Sequence, residues 1–248
     1  MSTERRDPEI YHPGTAGDGY VSTIETVLFD LDDTLCTYTE SAEAVLRDAF
    51  RRAGVDPFFD TDDFARWIPT VHAESPLDLR EQCFAGIARE RGHDPAVGHA
   101  VAAAYEPRPP EAVDPVPGAE AALSTLADEF RLGLVTNGAR ETQRRKLDAL
   151  GFTESFGAIV CATPETAIKP DPDPIQRALD ALDADPANAV LVGDSLASDV
   201  AGARNAGVTP VWVGGDADDD TDQSEPVPSL VVESVAALTE RPYPWALD

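Results

Sequence analysis

Apolar positions change rhythm twice along this chain. After 22 residues without periodicity, Thr26, Val27, Leu28 and Phe29 form a short apolar run that stops at Asp30. A run of that length bounded by acids predicts a buried strand. From residue 40 the spacing turns helical. Val45, Leu46, Ala49, Phe50 and Ala53 share one face over residues 40–53, and Gly54 supplies a stop. Helical spacing returns over residues 64–67, 79–91 and 96–105. The proline-rich stretch PRPPEAVDPVPG at 107–118 reads as a linker.

Beyond the linker, strands and helices alternate at short intervals. Helices are expected at 119–129, 143–150, 174–182 and 199–205, and strands at 132–136, 158–161, 189–192 and 209–213. A last strand at 230–232 precedes a short helix, and the acidic stretch 214–228 reads as a solvated loop. This alternation predicts an α/β fold, a parallel sheet with helices on both faces. The boundaries follow: a flexible N-terminal segment at 1–22, a core from 23–35 and 115–248, and a helical insert at 36–114. No internal repeat is visible.

In open parallel sheets, ligands bind beyond the carboxyl ends of the strands. The expected strand ends carry Asp30, Asp32, Asp33 and Thr34, then Thr136, Asn137 and Gly138, then a loop leading to Lys169, then Asp194, Ser195 and Asp199. Clustered carboxylates without histidine or cysteine suit a hard cation such as magnesium. Beside a cation, a carboxylate can attack phosphorus, and a second one two residues on can move the leaving-group proton and then activate water. A lysine adds compact positive charge, and Thr136 Oγ with nearby backbone N–H groups can hold phosphate oxygens.

Four motifs in this order resemble the haloacid dehalogenase superfamily. VLFDLDDTL matches the pattern DxDx[TV], VTNG resembles a strand-end threonine motif, Lys169 in IKPDPDPI resembles a lysine before a helix, and VGDSLASDV resembles GDxxxxD. The resemblance spans residues 27–200. It implies a Rossmann-like core with an inserted helical cap domain at 36–114. It also implies a phosphohydrolase using Mg2+ to cleave a small phosphorylated metabolite. By motif, Asp30 is the expected nucleophile and a metal ligand. Asp32 is the expected acid and base, reaching the metal through its backbone carbonyl. Thr136 and the Asn137 N–H are expected to bind phosphate, Lys169 to neutralise charge, and Asp194 to hold the metal. Asp199 is expected to support the metal shell or Lys169, and Thr34 to brace the first loop.

Blander readings stand beside these. An aspartate at a strand end is usually a turn former or cap, and Thr136 and Asn137 could cap the following helix. Lys146 reads as an ordinary lysine. His72, His93 and His99 read as solvated, Phe64 and Trp67 as insert core, and Arg80 and Arg108 as candidates for holding an anionic substrate tail. Within the superfamily the rivals are a dehalogenase, which generally lacks an acid at the Asp32 position, and a phosphonate-cleaving hydrolase, which needs a cap lysine that residues 36–114 do not contain. A phosphomutase shares every motif. A non-catalytic binding module would be expected to have lost Asp30 or Asp194.

Composition narrows the partners. Acidic residues number 46 against 19 basic, a net charge of −27. Such a surface repels nucleic acid and anionic membranes. No apolar run approaches the roughly 20 residues of a membrane span, and the N-terminus lacks a signal-peptide core. A cytoplasmic monomer or homodimer is the expectation, with Cys36, Cys83 and Cys161 reduced. Only Lys146 and Lys169 are lysines, and an acidic, lysine-poor composition resembles proteins of salt-accumulating halophiles. At about 1 M salt the Debye length falls to roughly 3 Å, which mutes self-repulsion. Melting temperature and activity are therefore expected to rise together from dilute buffer into molar potassium chloride at saturating magnesium. Equal stability in dilute buffer would refute the halophile reading.

Overall fold

Strand β1 (Thr26–Phe29) is buried along its whole length, which is why it reads as a continuous apolar run rather than an alternating one. It lies at the centre of the sheet, pairing in parallel with β4 (Arg131–Asn137) on one side and β6 (Ala189–Gly193) on the other. Outside them come β5 (Ala158–Ala162), then β7 (Thr209–Val213) and β8 (Leu230–Val232), in the order β5-β4-β1-β6-β7-β8, all parallel. The computed structural model describes residues 24–246 apart from 74, 164–165, 215–227 and 229. The lead-in expected at 1–22 and almost all of the acidic loop at 214–228 lie outside the described residues.

Successive residues of β1 feed opposite cores. Val27 and Phe29 pack with Leu123 and Leu126 of α5 (Ala119–Ala127) and Leu147 of α6 (Arg140–Leu150). Leu28 packs with Ile175 and Leu179 of α7 (Asp173–Leu182) and Ala203 of α8 (Ala201–Asn205). The two-residue period of a strand sends each side chain to a different face, so the sheet is covered on both sides, as expected. The helix expected at 199–205 starts instead with a widened turn over Leu196–Val200, where the Val200 N–H donates to Ser195 O at 3.1 Å. Such bulges often mark functional sites.

Two short strands went unseen in the sequence. β2 (Cys36–Tyr38) runs antiparallel to β3 (Val113–Pro115), with Tyr38 opposite Val113. β3 lies inside the stretch read as a plain linker, and three residues are too few to show a period. Between these strands lie α1 (Ala42–Ala53), α2 (Thr61–Trp67), α3 (Pro76–Glu90) and α4 (Pro95–Ala104). They share a core of their own containing Leu46, Phe50, Phe59, Phe84, Ile87 and Val101, with Phe64 and Trp67 packed against it. Their starts are set by capping side chains of Ser41, Asp60, Ser75 and Asp94. Caps and a proline in the first turn begin α3 and α4 before the apolar spacing becomes visible. None of the described helices is long and apolar enough to cross a membrane.

Gly98 of α4 faces α3 so closely that a Cβ there would stand 2.3 Å from the carbonyl oxygen of Phe84. Backbone cannot yield as a side chain can. Gly98→Ala is therefore expected to cost about 1–3 kcal/mol by overpacking, despite the roughly 1 kcal/mol that alanine gains in helix propensity. Denaturant unfolding in high salt would measure it.

Candidate active site

The strand order puts the chain reversal at β1, because the connections leaving it and its neighbours run to opposite sides of the sheet. The carboxyl ends of β1, β4 and β6 therefore open on one crevice. The backbone after β1 turns at once. The Leu35 and Cys36 N–H groups both donate to Leu31 O, at 2.9 and 3.1 Å, and Asp33 adopts a left-handed φ of 59°. This tight loop presents Asp30 and Asp32 on successive sides.

Lys169 forms the centre of the site. It is 2% exposed. Its Nζ donates to Asp30 Oδ1 at 2.7 Å and to Val135 O at 2.6 Å, and it lies 2.7 Å from Asp199 Oδ1. Its backbone is fixed by Asn137, whose side-chain amide donates to Lys169 O at 3.0 Å and accepts from Lys169 N–H at 2.9 Å. Asn137 thus positions the lysine, and the helix-cap alternative fails: α6 starts at Arg140 with Ala139 as its cap residue and no side-chain capping bond. Asp199 also accepts from the Ser195 N–H at 3.0 Å and from Ser198 Oγ at 3.3 Å.

Asp194 accepts from Thr34 Oγ1 at 2.9 Å, which ties the end of β6 to the loop after β1. One oxygen each from Asp30, Asp194 and Asp199 lie within 4.8 Å of one another. The single buried cation among these three acids leaves the cluster negative. Burial pushes Asp30 up to about 7, against the pull of Lys169 and with the added repulsion of Asp199. Burial raises Asp194 as well, with Thr34 opposing. Hard oxygen donors carrying uncompensated charge fit a hard cation. Asp199 is taken up by Lys169 and the Ser195 loop, so Asp30 and Asp194 are the carboxylates suited to hold it.

Asp32 and Thr136 are joined by a residue the sequence did not single out. Gln143 Nε2 donates to Asp32 Oδ2 and to Thr136 Oγ1, both at 2.9 Å. As Thr136 Oγ accepts that bond, its own hydrogen is left to donate elsewhere. Lys146, one helical turn further on, is 3% exposed and its Nζ lies 2.5 Å from Asp32 Oδ1. The expectation of an ordinary lysine is therefore wrong. Burial pulls Lys146 down, but the hydrogen bond and charge of Asp32 outweigh it and hold the ammonium above its usual value. Both lysines of the chain are buried against site carboxylates.

The pattern of haloacid dehalogenase-like hydrolases matches residues 24–207, which span all of these side chains. The chain belongs to that family. The hydrolase is 31% identical to a phosphoserine phosphatase of Thermus thermophilus over 222 residues, covering 77% of this chain and 88% of the relative. It is 31% identical to a glyceraldehyde 3-phosphate phosphatase of Pyrococcus abyssi, covering 76% and 81%. Among solved structures it resembles a 2-haloacid dehalogenase of Pseudomonas syringae at 27% identity and a TM-score of 0.56, covering 87% and 96%.

At the root of the insert, Tyr38 joins Arg108 to Lys146. The Arg108 guanidinium stacks over the Tyr38 ring at 3.8 Å, and Lys146 Nζ lies 4.6 Å from the same ring. Arg80 stacks instead on Tyr105 at 5.2 Å. His72, His93 and His99 are exposed. No disulfide joins the three cysteines.

The raised Asp30 sets a signed prediction. Its carboxyl is shifted from 3.8 to about 7, so in this window the metal-free folded protein binds a proton that the unfolded chain does not. Burying Asp30 then costs stability that grows as pH rises through the window and vanishes below it. Metal-free Asp30→Asn is expected to melt a few degrees above the wild type at pH 8, with the gap closing toward pH 4. Lys169 keeps Asp199 and Val135 O as partners in the variant. A lower melting temperature for Asp30→Asn at pH 8 would contradict the electrostatic account.

Proposed function

We propose that this hydrolase is a magnesium-dependent phosphatase that cleaves a small-molecule phosphate monoester through an aspartyl-phosphate on Asp30. The observation that carries the reading is the paired placement of two acids with different surroundings. Asp30 is buried against Lys169 at the floor of the crevice, while the Asp32 side chain stays 37% exposed toward it. Two carboxylates in unlike environments suit a nucleophile and a proton carrier.

In the first step an Asp30 oxygen attacks phosphorus, and the bond to the leaving oxygen breaks as that oxygen takes the proton of Asp32. In the second, Asp32 removes a proton from water, whose oxygen attacks phosphorus and returns Asp30 as a carboxylate. Lys169 balances the charge on Asp30 throughout, and Thr136 Oγ donates to a phosphate oxygen. Asp30, Asp194 and the Asp32 backbone carbonyl would hold magnesium, which would neutralise charge on the phosphoryl oxygens. Asp199 and Thr34 hold Lys169 and Asp194 in place. Phosphoserine and glyceraldehyde 3-phosphate are both three-carbon monoesters, which supports a small phosphorylated metabolite as substrate. The helices α1 to α4 form the cap that would select it. A phosphomutase would use the same groups and is separated by product analysis.

One finding favours a second reading, the likeness to a 2-haloacid dehalogenase. A halide leaves without a proton, so that chemistry has no task for Asp32.

Magnesium is expected to support phosphate release from an aryl phosphate in high salt, and a chelator to abolish it. Asp30→Asn should lose turnover by at least about a thousandfold. Asp32→Asn should lose about a hundredfold or more in kcat/KM, which reports the first step, on alkyl phosphates but far less on an activated aryl phosphate, which needs little help from an acid. Halide release from a 2-haloacid with no phosphate release would decide for the second reading.

A further inference from the structure

Lys146 has a geometry that surface charge does not explain. In a chain of 248 residues with only two lysines and a net charge of −27, an ammonium made merely for solubility would point outward. This one is buried, reaches the exposed acid of the crevice at 2.5 Å, and sits beside the Tyr38 ring at 4.6 Å. Gln143 and Lys146 lie three residues apart on α6, so they share one helix face. Gln143 takes Asp32 Oδ2 and Lys146 takes Oδ1. Two donors on one rigid element therefore fix both oxygens and hence the plane of the carboxylate.

We infer that Lys146 is a positioning residue for the reaction, one that acts through Asp32 by clamping its carboxylate together with Gln143, and that Tyr38 at the root of the insert braces the clamp. The inference rests on the acid–base reading of Asp32. The bracing has a structural basis. Tyr38 belongs to β2, the first strand of the pair that leads into and out of α1–α4, and its ring carries Arg108, which in turn donates to Glu40 O at 3.1 Å. A second contact ties the same helix to the return strand's approach: Arg145 pairs with Glu111 at 2.6 Å. The clamp on Asp32 and the root of the insert are thus one packed unit. A group that positions a proton carrier affects the step in which the proton moves. It leaves substrate capture unchanged.

That separation supplies the test. Turnover of an aryl and an alkyl phosphate is measured with magnesium in high salt for the wild type, Lys146→Met, Lys146→Arg, Asp32→Asn and the Lys146→Met/Asp32→Asn double variant, each checked for folding by its melting curve. Methionine keeps the length and apolar stem of lysine and removes the donor. Lys146→Met should lower kcat/KM on the alkyl ester about ten- to a hundredfold, the usual range for a group that orients a reacting one, and only a few-fold on the aryl ester, because kcat/KM reports the first step, whereas the water-activating second step is common to both esters. Lys146→Arg should recover most of the loss. The double variant should be no slower than Asp32→Asn alone, because the lysine acts through that carboxylate. Equal losses of kcat/KM on both esters, or additive losses in the double variant, would overturn the role of Lys146 and leave the phosphatase reading standing. A wild-type protein that hydrolyses neither ester overturns both. If Lys146→Met does not fold, Lys146→Gln, which retains a shorter donor, replaces it: a kcat/KM loss concentrated on the alkyl ester supports the role, and an equal kcat/KM loss on both esters overturns it.

Discussion

The arrangement of this molecule depends on one constraint: a lysine ammonium buried at the floor of the sheet must be surrounded by acceptors. Stripping Lys169 of water costs several kcal/mol unless the geometry of its partners is good. Three partners meet it, a carboxylate from the end of β1, a carboxylate from the turn after β6, and a carbonyl from β4. Those groups come from three adjacent parallel strands. Fixing the lysine therefore also fixes the relative positions of the strand ends. Asn137 extends the constraint to the lysine's own backbone, and the widened turn at Leu196–Val200 brings Asp199 back under it.

A deficit of positive charge remains, and the chemistry follows from it. Asp30 and Asp199 share one buried cation while Asp194 beside them has none, and burial lifts Asp30 to about 7. Stability alone would favour replacing one of these acids. Unpaired buried charge of this kind marks a candidate functional site, and the proposed cation and anionic substrate would together restore the balance that the protein leaves open. The cost is borne by the apolar cores on the two faces of the sheet, which hold β1 rigid on both sides.

The second acid sits under different physics. Asp32 is open to the crevice, yet its oxygens are taken by Gln143 and Lys146 of α6. The same glutamine reaches Thr136, so the Asp32 carboxylate and the Thr136 hydroxyl share one support. That support packs on the β2–β3 pair from which the insert helices spring. The insert has a separate core and is tied to α6 at this root.

Much of this was legible in residue order. Apolar runs, helical spacing and the acids that close each run marked the six strands of the sheet and most helices, because burial on both faces leaves an unmistakable sequence trace. The candidate residues named from motifs lie together at the strand ends: Asp30, Asp32, Thr34, Thr136, Asn137, Lys169, Asp194 and Asp199. What the sequence could not show were relations between distant positions on short or polar segments. β2 and β3 are three residues each and exist only because they pair across the whole insert. Gln143 and Lys146 look like ordinary polar residues of an amphipathic helix, and nothing local distinguishes them from Arg144 or Arg145. Only the packing of α6 against the loop after β1, more than a hundred residues away in the chain, turns that face inward and makes the lysine a partner of Asp32. Local pattern determines which segments are strands and helices; which polar side chain is buried is decided by what the fold places opposite it.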